Sequence, residues 1–204
     1  MRGLYVITDE KLTPASTLLA QVEAALAGGA RIIQYRDKSS SSAKRQQQAS
    51  ELLDLCHQYN ACFIVNDDAP LAAKIKAHGV HLGLTDSPLA EARALLGEGA
   101  IIGATCHGDI ENAYRAVDAG ADYVAFGRFF LSSTKPDAAP AELDKIAPRL
   151  ATLPLPAAAI GGITISNAPQ LRAAGFAMLA VVADIFTQQD ITAHCQRYAA
   201  LFHD

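Results

Sequence analysis

The sequence has no basic excess, no CxxC pair and no unbroken apolar run long enough to cross a bilayer. Each lack removes a class of protein. With 17 Lys and Arg against 21 Asp and Glu, the formal charge is −4. No global field therefore draws the chain to nucleic acid or to an anionic membrane, and neither is expected as a partner. Any anion it handles must be held by local geometry. Residues 150–171 carry no charge over 22 positions, but Pro154, Pro156 and Pro169 interrupt them, which excludes a membrane helix. Met1-Arg2 leads straight into an apolar strand pattern, without the charged, apolar and small-residue segments of a signal peptide. Cys56, Cys62, Cys106 and Cys195 have no regular spacing and suit reduced thiols in a cytoplasmic protein. Gly97, Gly99 and Gly103 form no GxGxxG and stand before and within a strand pattern, the wrong place for a dinucleotide site.

What is present is a large apolar fraction with regular punctuation. Half of the 204 residues are hydrophobic and 19% are charged, which supplies a sizeable core and excludes a disordered chain. Five times a helical stretch closes on a glycine and a short apolar run follows at once, at Gly29, Gly79, Gly99, Gly120 and Gly175. Glycine ends a helix because it takes positive φ at little cost, and continuous apolar strands signal burial on both faces, as in parallel sheets. Strands are expected at roughly 3–8, 30–35, 62–66, 79–82, 100–104, 122–126, 156–160 and 176–182. Helical stripes run through Leu18, Leu19, Val22, Ala25 and Leu26, through Ala49, Leu52, Leu53 and Cys56, and through Ile110, Ala113, Tyr114 and Val117. A last one takes in Ile191, Cys195, Tyr198, Ala199 and Phe202. Eight βα alternations point to a single-domain (β/α)8 TIM barrel over residues 1–204, ahead of a doubly wound open sheet.

Barrel active sites lie at the C-terminal ends of the strands, so the polar residues there carry the functional reading. After the second strand, Gln34, Arg36 and Lys38 share one face because alternate residues of an extended segment point the same way. Two cations and an amide suit a multiply charged anion; the plainer alternative is a solvated loop. Asp67 ends the third strand and Asp86 follows the fourth. Neighbouring strands bring two such carboxylates near a common point, where they suit one Mg²⁺ ion completed by substrate phosphate oxygens. Alternatively, Asp67 and Asp86 cap the helices that follow. Thr105-Cys106-His107 closes the fifth strand; His107 is either an acid/base or a packing residue, and Cys106 lacks a partner base. Hydroxyls and Lys135 in the segment 127–136 read as an anion-gripping lid. Gly161-Gly162 after the seventh strand, with the loop after the eighth, matches the phosphate cradle of this fold. Two anion sites on one rim indicate displacement of pyrophosphate from one substrate by a second that bears phosphate.

Nearly the whole chain resembles the thiamine phosphate synthase family. The resemblance is carried by residues 4–9 (LYVITD), 34–38 (QYRDK), 64–68 (IVNDD), 79–83 (GVHLG), 101–107 (IIGATCH), 121–127 (ADYVAFG), 133–135 (STK) and 159–163 (AIGGI). It implies a TIM-barrel transferase that joins hydroxymethylpyrimidine diphosphate to a thiazole phosphate. By similarity, Gln34, Tyr35, Arg36, Asp37, Lys38, Asn66, Thr105 and Lys135 would hold the pyrimidine diphosphate. Arg36, Lys38 and Lys135 would stabilise its leaving group. Asp67 and Asp86 would ligate one Mg²⁺. Ser132, Ser133 and Thr134 with Gly162, Val182 and Ala183 would grip the thiazole phosphate. The implied route is dissociative and needs no protein nucleophile. The chain departs from the family in four places: Leu84-Thr85 for Gln-Glu before Asp86, Ser132 for Thr, Ala183 for Ser, and Arg128 for Pro. Competing readings are a thiazole tautomerase-like relative using His107, a non-catalytic phosphate-binding barrel, and a sugar-phosphate epimerase or aldolase. An aldolase would need a Schiff-base lysine within a strand. Monomer and homodimer both stay open.

Overall fold

The protein is described by a computed structural model that covers residues 1–38, 40–131 and 139–203. Eight short strands, each buried on both faces, form the sheet: β1 (Gly3–Ile7), β2 (Ile32–Tyr35), β3 (Cys62–Asn66), β4 (Gly79–Leu82), β5 (Ile101–His107), β6 (Tyr123–Phe126), β7 (Ala157–Ile160) and β8 (Met178–Val181). All pairs are parallel and the order β1 to β8 closes on itself. The expected TIM barrel is the observed one. Side chains alternate about the sheet, so Tyr5, Ile7, Ile32, Ile64, Tyr123, Ala158 and Met178 fill the barrel. Leu4, Val6, Ile33, Phe63, Val65 and Val80 meet the helices instead.

The helices between strands are α1 (Leu18–Ala27), α2 (Ser42–Gln58), α3 (Ala69–Ile75), α4 (Leu89–Leu96), α5 (Ile110–Asp118), α6 (Leu143–Leu150) and α7 (Ala168–Ala173). After β8 come a short α8 (Ala183–Phe186) and α9 (Ile191–Ala200). Local chemistry starts several of them. Asp68, Asp109 and Asp190 each accept a backbone N–H of the first turn at 2.9 Å, before α3, α5 and α9 respectively, a contribution of about 1 kcal/mol apiece. Two expectations shift. Leu19 is 40% exposed and leaves the α1 stripe, because Leu18, Val22, Ala25 and Leu26 already complete the face that meets the barrel. The fifth strand runs three residues past its expected end, to His107, through an irregularity between Thr105 and His107.

Candidate active site

The rim is built by strand ends in register. Asn66 lies opposite His81, His81 opposite Gly103, and Thr105 opposite Ala125. Asp67 follows β3 with φ of +61°, a conformation uncommon outside glycine that lifts the residue out of the strand. Its N–H donates to the His81 carbonyl at 2.9 Å, and its carboxylate meets Lys38 Nζ at 3.1 Å. The Asp86 carboxyl comes within hydrogen-bond reach of Asp67, and the Asn66 side chain donates to it. Partial burial pushes the Asp67 pKa up, but Lys38, Asp86 and Asn66 outweigh it, so the carboxyl is held below its ordinary value. Asp86 is itself aimed by the Gly83 N–H, which donates to its Oδ2 at 2.6 Å. The capping alternative fails for Asp67, because Asp68 is the residue that caps α3. The Asp67 and Asp86 carboxyls thus lie together beside Lys38.

The segment after β2 divides by face. Gln34 is buried in the barrel, its Nε2 donating to Tyr5 at 2.6 Å. Arg36, beyond the strand, holds Nη1 3.6 Å from Asp9 and 3.5 Å from Glu10. Lys38, its side chain 58% exposed, reaches Asp67. Tyr35 goes the other way. Its ring packs in the layer between barrel and helices, and its hydroxyl donates to Gln48 of α2 at 2.8 Å. The Asp37 carboxylate accepts from both the backbone and the hydroxyl of Ser40 at 3.0 and 2.6 Å, which makes it a builder of the turn into α2.

Across the rim, Gly161 and Gly162 have φ of +100° and +62°. A side chain at Gly162 would strike the backbone at Phe130 and Leu131. That close approach is fixed by Phe129 and Phe130, whose N–H groups donate to Ile160 and Gly161. The glycine pair thus seats the segment that follows β6 over the end of β7. Val182 ends the β8 turn and Ala183 opens α8. Ser132, Ser133, Thr134 and Lys135 lie outside the described residues. Thr105 sits at the rim, bonded to His81 Nε2 at 2.9 Å, while His107 is exposed, with φ of +50°. Burial pushes the Cys106 thiol up to about 12, so it is no thiolate near neutral pH.

Three features escaped the sequence reading. Asp9 and Glu10 beside Arg36 follow β1 directly, and their strand-end position was a usable signal. Asp184 is a hub: its Oδ2 accepts from His194 at 2.7 Å, Tyr198 at 2.7 Å and the Ile165 N–H at 3.2 Å. A hydrogen-bonded file of Tyr5, Tyr123 and His81 crosses the barrel interior. The latter two join residues far apart in sequence and left no local signal.

Comparison with known proteins identifies the family. Residues 4–185 match the family model described as thiamine monophosphate synthase. The chain belongs to that family. It is 51% identical over 193 residues to the thiamine-phosphate synthase of Alcanivorax borkumensis, covering 95% of this chain and 89% of that one. To the thiamine-phosphate synthase of Marinobacter nauticus it is 52% identical over 202 residues, covering 98% and 90%. Among solved structures, thiamine phosphate pyrophosphorylase from Pyrococcus furiosus superposes with a TM-score of 0.89 at 31% identity, covering 98% of this chain and 95% of that one. Family membership makes this protein an enzyme, a transferase of thiamine biosynthesis acting on small molecules. Among the described residues, no helix is long and apolar enough to cross a membrane.

Proposed function

We propose that this thiamine-phosphate synthase works by a dissociative, Mg²⁺-assisted substitution between 4-amino-2-methyl-5-hydroxymethylpyrimidine diphosphate and 4-methyl-5-(2-phosphooxyethyl)thiazole. The meeting of Asp67 and Asp86 beside Lys38 is the observation that carries the reading. Two hard carboxylate oxygens in reach of one point, with no sulfur or imidazole among them, fit Mg²⁺ completed by substrate phosphate oxygens. The bound ion would neutralise charge on the departing pyrophosphate.

The protein's own groups do the rest. Arg36 and Lys38, joined by Lys135, face a diphosphate of about three negative charges and stabilise it as it leaves. Gln34 and Thr105 hold the other end of that substrate. Loss of pyrophosphate leaves a pyrimidine methylene cation, which the thiazole nitrogen captures, so no protein nucleophile is required. The buried Cys106 thiol accords with that. The backbone N–H groups of Gly162, Val182 and Ala183, with the hydroxyls of Ser132, Ser133 and Thr134, hold the thiazole phosphate so that its ring nitrogen faces the cation. Four free cysteines suit work in the cytoplasm.

The test is direct. The purified chain, supplied with both substrates and Mg²⁺, should form thiamine phosphate and pyrophosphate in equal amounts, and EDTA should abolish both. Folded protein that forms neither would overturn the proposal. Turnover indifferent to EDTA would remove the metal from it.

A further inference from the structure

The barrel interior holds a continuous file of polar groups directly beneath the rim. Gln34 Nε2 donates to the Tyr5 hydroxyl at 2.6 Å. The Tyr5 and Tyr123 hydroxyls are 2.8 Å apart. Tyr123 meets His81 Nδ1 at 2.9 Å, and His81 Nε2 meets Thr105 Oγ1 at 2.9 Å. Tyr5, Tyr123, Gln34 and His81 are all buried. The backbone is shaped for this contact. His81 and Tyr123 stand on β4 and β6, opposite Gly103 of the intervening β5. A side chain at Gly103 would collide with the Tyr123 phenol. Because glycine is there, the imidazole and phenol stack across β5, with centroids 5.5 Å apart and planes 28° apart.

Such a file has a direction. Burial pushes both phenol pKa values up, so each hydroxyl keeps one hydrogen and can give only one. With the Gln34 amide offering its N–H to Tyr5, the file is satisfied if Tyr5 donates onward to Tyr123. The same sense continues if Tyr123 donates to His81 Nδ1 and the Nε2–H tautomer of His81 donates to Thr105. The consequences appear at the two ends. Gln34 turns its amide oxygen, an acceptor, away from Tyr5. Thr105 keeps a hydroxyl hydrogen that the bond to His81 does not use. We propose that Tyr5, Tyr123 and His81 are positioning residues that fix this direction, so that Gln34 accepts from the ring substituent of the pyrimidine and Thr105 donates to the same substrate, selecting a 4-amino ring over a 4-oxo ring. The inference rests on the functional reading above, in which Gln34 and Thr105 hold the pyrimidine diphosphate. A 4-oxo ring presents a carbonyl acceptor where the natural substrate presents an amino donor. Against an amide oxygen that cannot flip, both partners would be acceptors.

The experiment compares 4-amino- and 4-oxo-2-methyl-5-hydroxymethylpyrimidine diphosphate as ligands, by titration calorimetry, and as substrates, by turnover. The parent protein should bind the amino compound at least about 30-fold more tightly, in line with the cost of leaving polar groups unpaired in a buried site. Equal affinity, or preference for the oxo compound, overturns the proposal without any variant having to fold. Tyr123→Phe frees the Tyr5 hydroxyl to turn, and Gly103→Ala pushes a methyl group into the phenol. Each should lower the amino-to-oxo ratio of kcat/KM about ten-fold or more, while KM for the thiazole phosphate stays within two-fold. A merely structural role would leave the ratio unchanged as activity fell, and that result would also overturn it. If the parent binds the amino compound preferentially but makes no thiamine phosphate, the file stands and the functional reading falls.

Discussion

Asp184 offers a quantitative test of how the proposed thiazole side of the site is supported. One carboxylate oxygen takes three donors: His194 Nε2, the Tyr198 hydroxyl and the Ile165 N–H. Tyr198 is fully buried and His194 is 8% exposed. Asp184→Ala strands both side-chain donors at a cost of about 1–3 kcal/mol each, so a total near ~4 kcal/mol is expected. For a domain of about 200 residues, each kcal/mol lowers Tm by roughly 2–4 °C, which predicts a fall of roughly 8–16 °C by calorimetry. The double variant Asp184→Ala/Tyr198→Phe should recover part of the loss, because it no longer holds an unpaired phenol in the core. The Ile165 N–H belongs to the loop that follows Gly161-Gly162, so KM for the thiazole phosphate should rise more than kcat falls. A Tm within about 3 °C of the parent protein, or a double variant no more stable than the single, would refute the reasoning.

Asp67→Asn removes one charge from the proposed metal pair and should lower Mg²⁺-dependent turnover on the order of 100-fold, with the far-UV spectrum unchanged; undiminished activity would exclude Asp67 as a ligand. Tyr35→Phe should leave both KM values within two-fold and cost only about 1 kcal/mol in urea unfolding, since the lost bond runs to Gln48 of α2; a large rise in KM for the pyrimidine diphosphate would return Tyr35 to the site. His78 supplies a pH dependence: burial and then the charge of neighbouring His57 hold its pKa below the ordinary value, and its Nδ1 accepts from the Phe63 N–H at 3.0 Å. The unfolded chain therefore takes up the proton first, and stability should fall as pH drops below about 6.5, less steeply in His78→Asn, whose amide oxygen can still accept from Phe63. Parallel Tm profiles for the two proteins between pH 7.5 and 5.5 would contradict this.

The barrel was legible because its signals are local. A glycine at a helix end and an apolar run after it occupy a few adjacent residues, and doubly buried strands need no partner to be recognised. Asp67 and Asp86 were legible for a related reason, since strand ends of one parallel sheet all lie on one rim. The face that Tyr35 takes was legible by a local rule too. The alternation that puts Gln34 on the barrel face puts Tyr35 on the other, toward α2. Leu19 fits the helical period of α1 but falls outside the arc that meets the barrel. The Asp184 hub and the Tyr5–Tyr123–His81 file could not be read. Their members come from different elements, and the two tyrosines are separated by 118 positions.

That file also bears on how the barrel divides its work. Ile32, Ile64 and Met178 supply apolar contacts within the barrel, while the residues nearest the rim are polar and bonded to one another. Burying Gln34, Tyr5, Tyr123 and His81 is costly unless every one finds a partner, and an unbroken chain of donors and acceptors ending at Thr105 is the arrangement that satisfies them all. Such a chain cannot reverse at one point alone; turning the Gln34 amide would require Tyr5, Tyr123, His81 and Thr105 to reverse with it. An amide free to flip would accept or donate with little preference. Coupled to four other groups, it gains its orientation from the interior of the fold, so substitutions two strands away should change which ring the rim accepts.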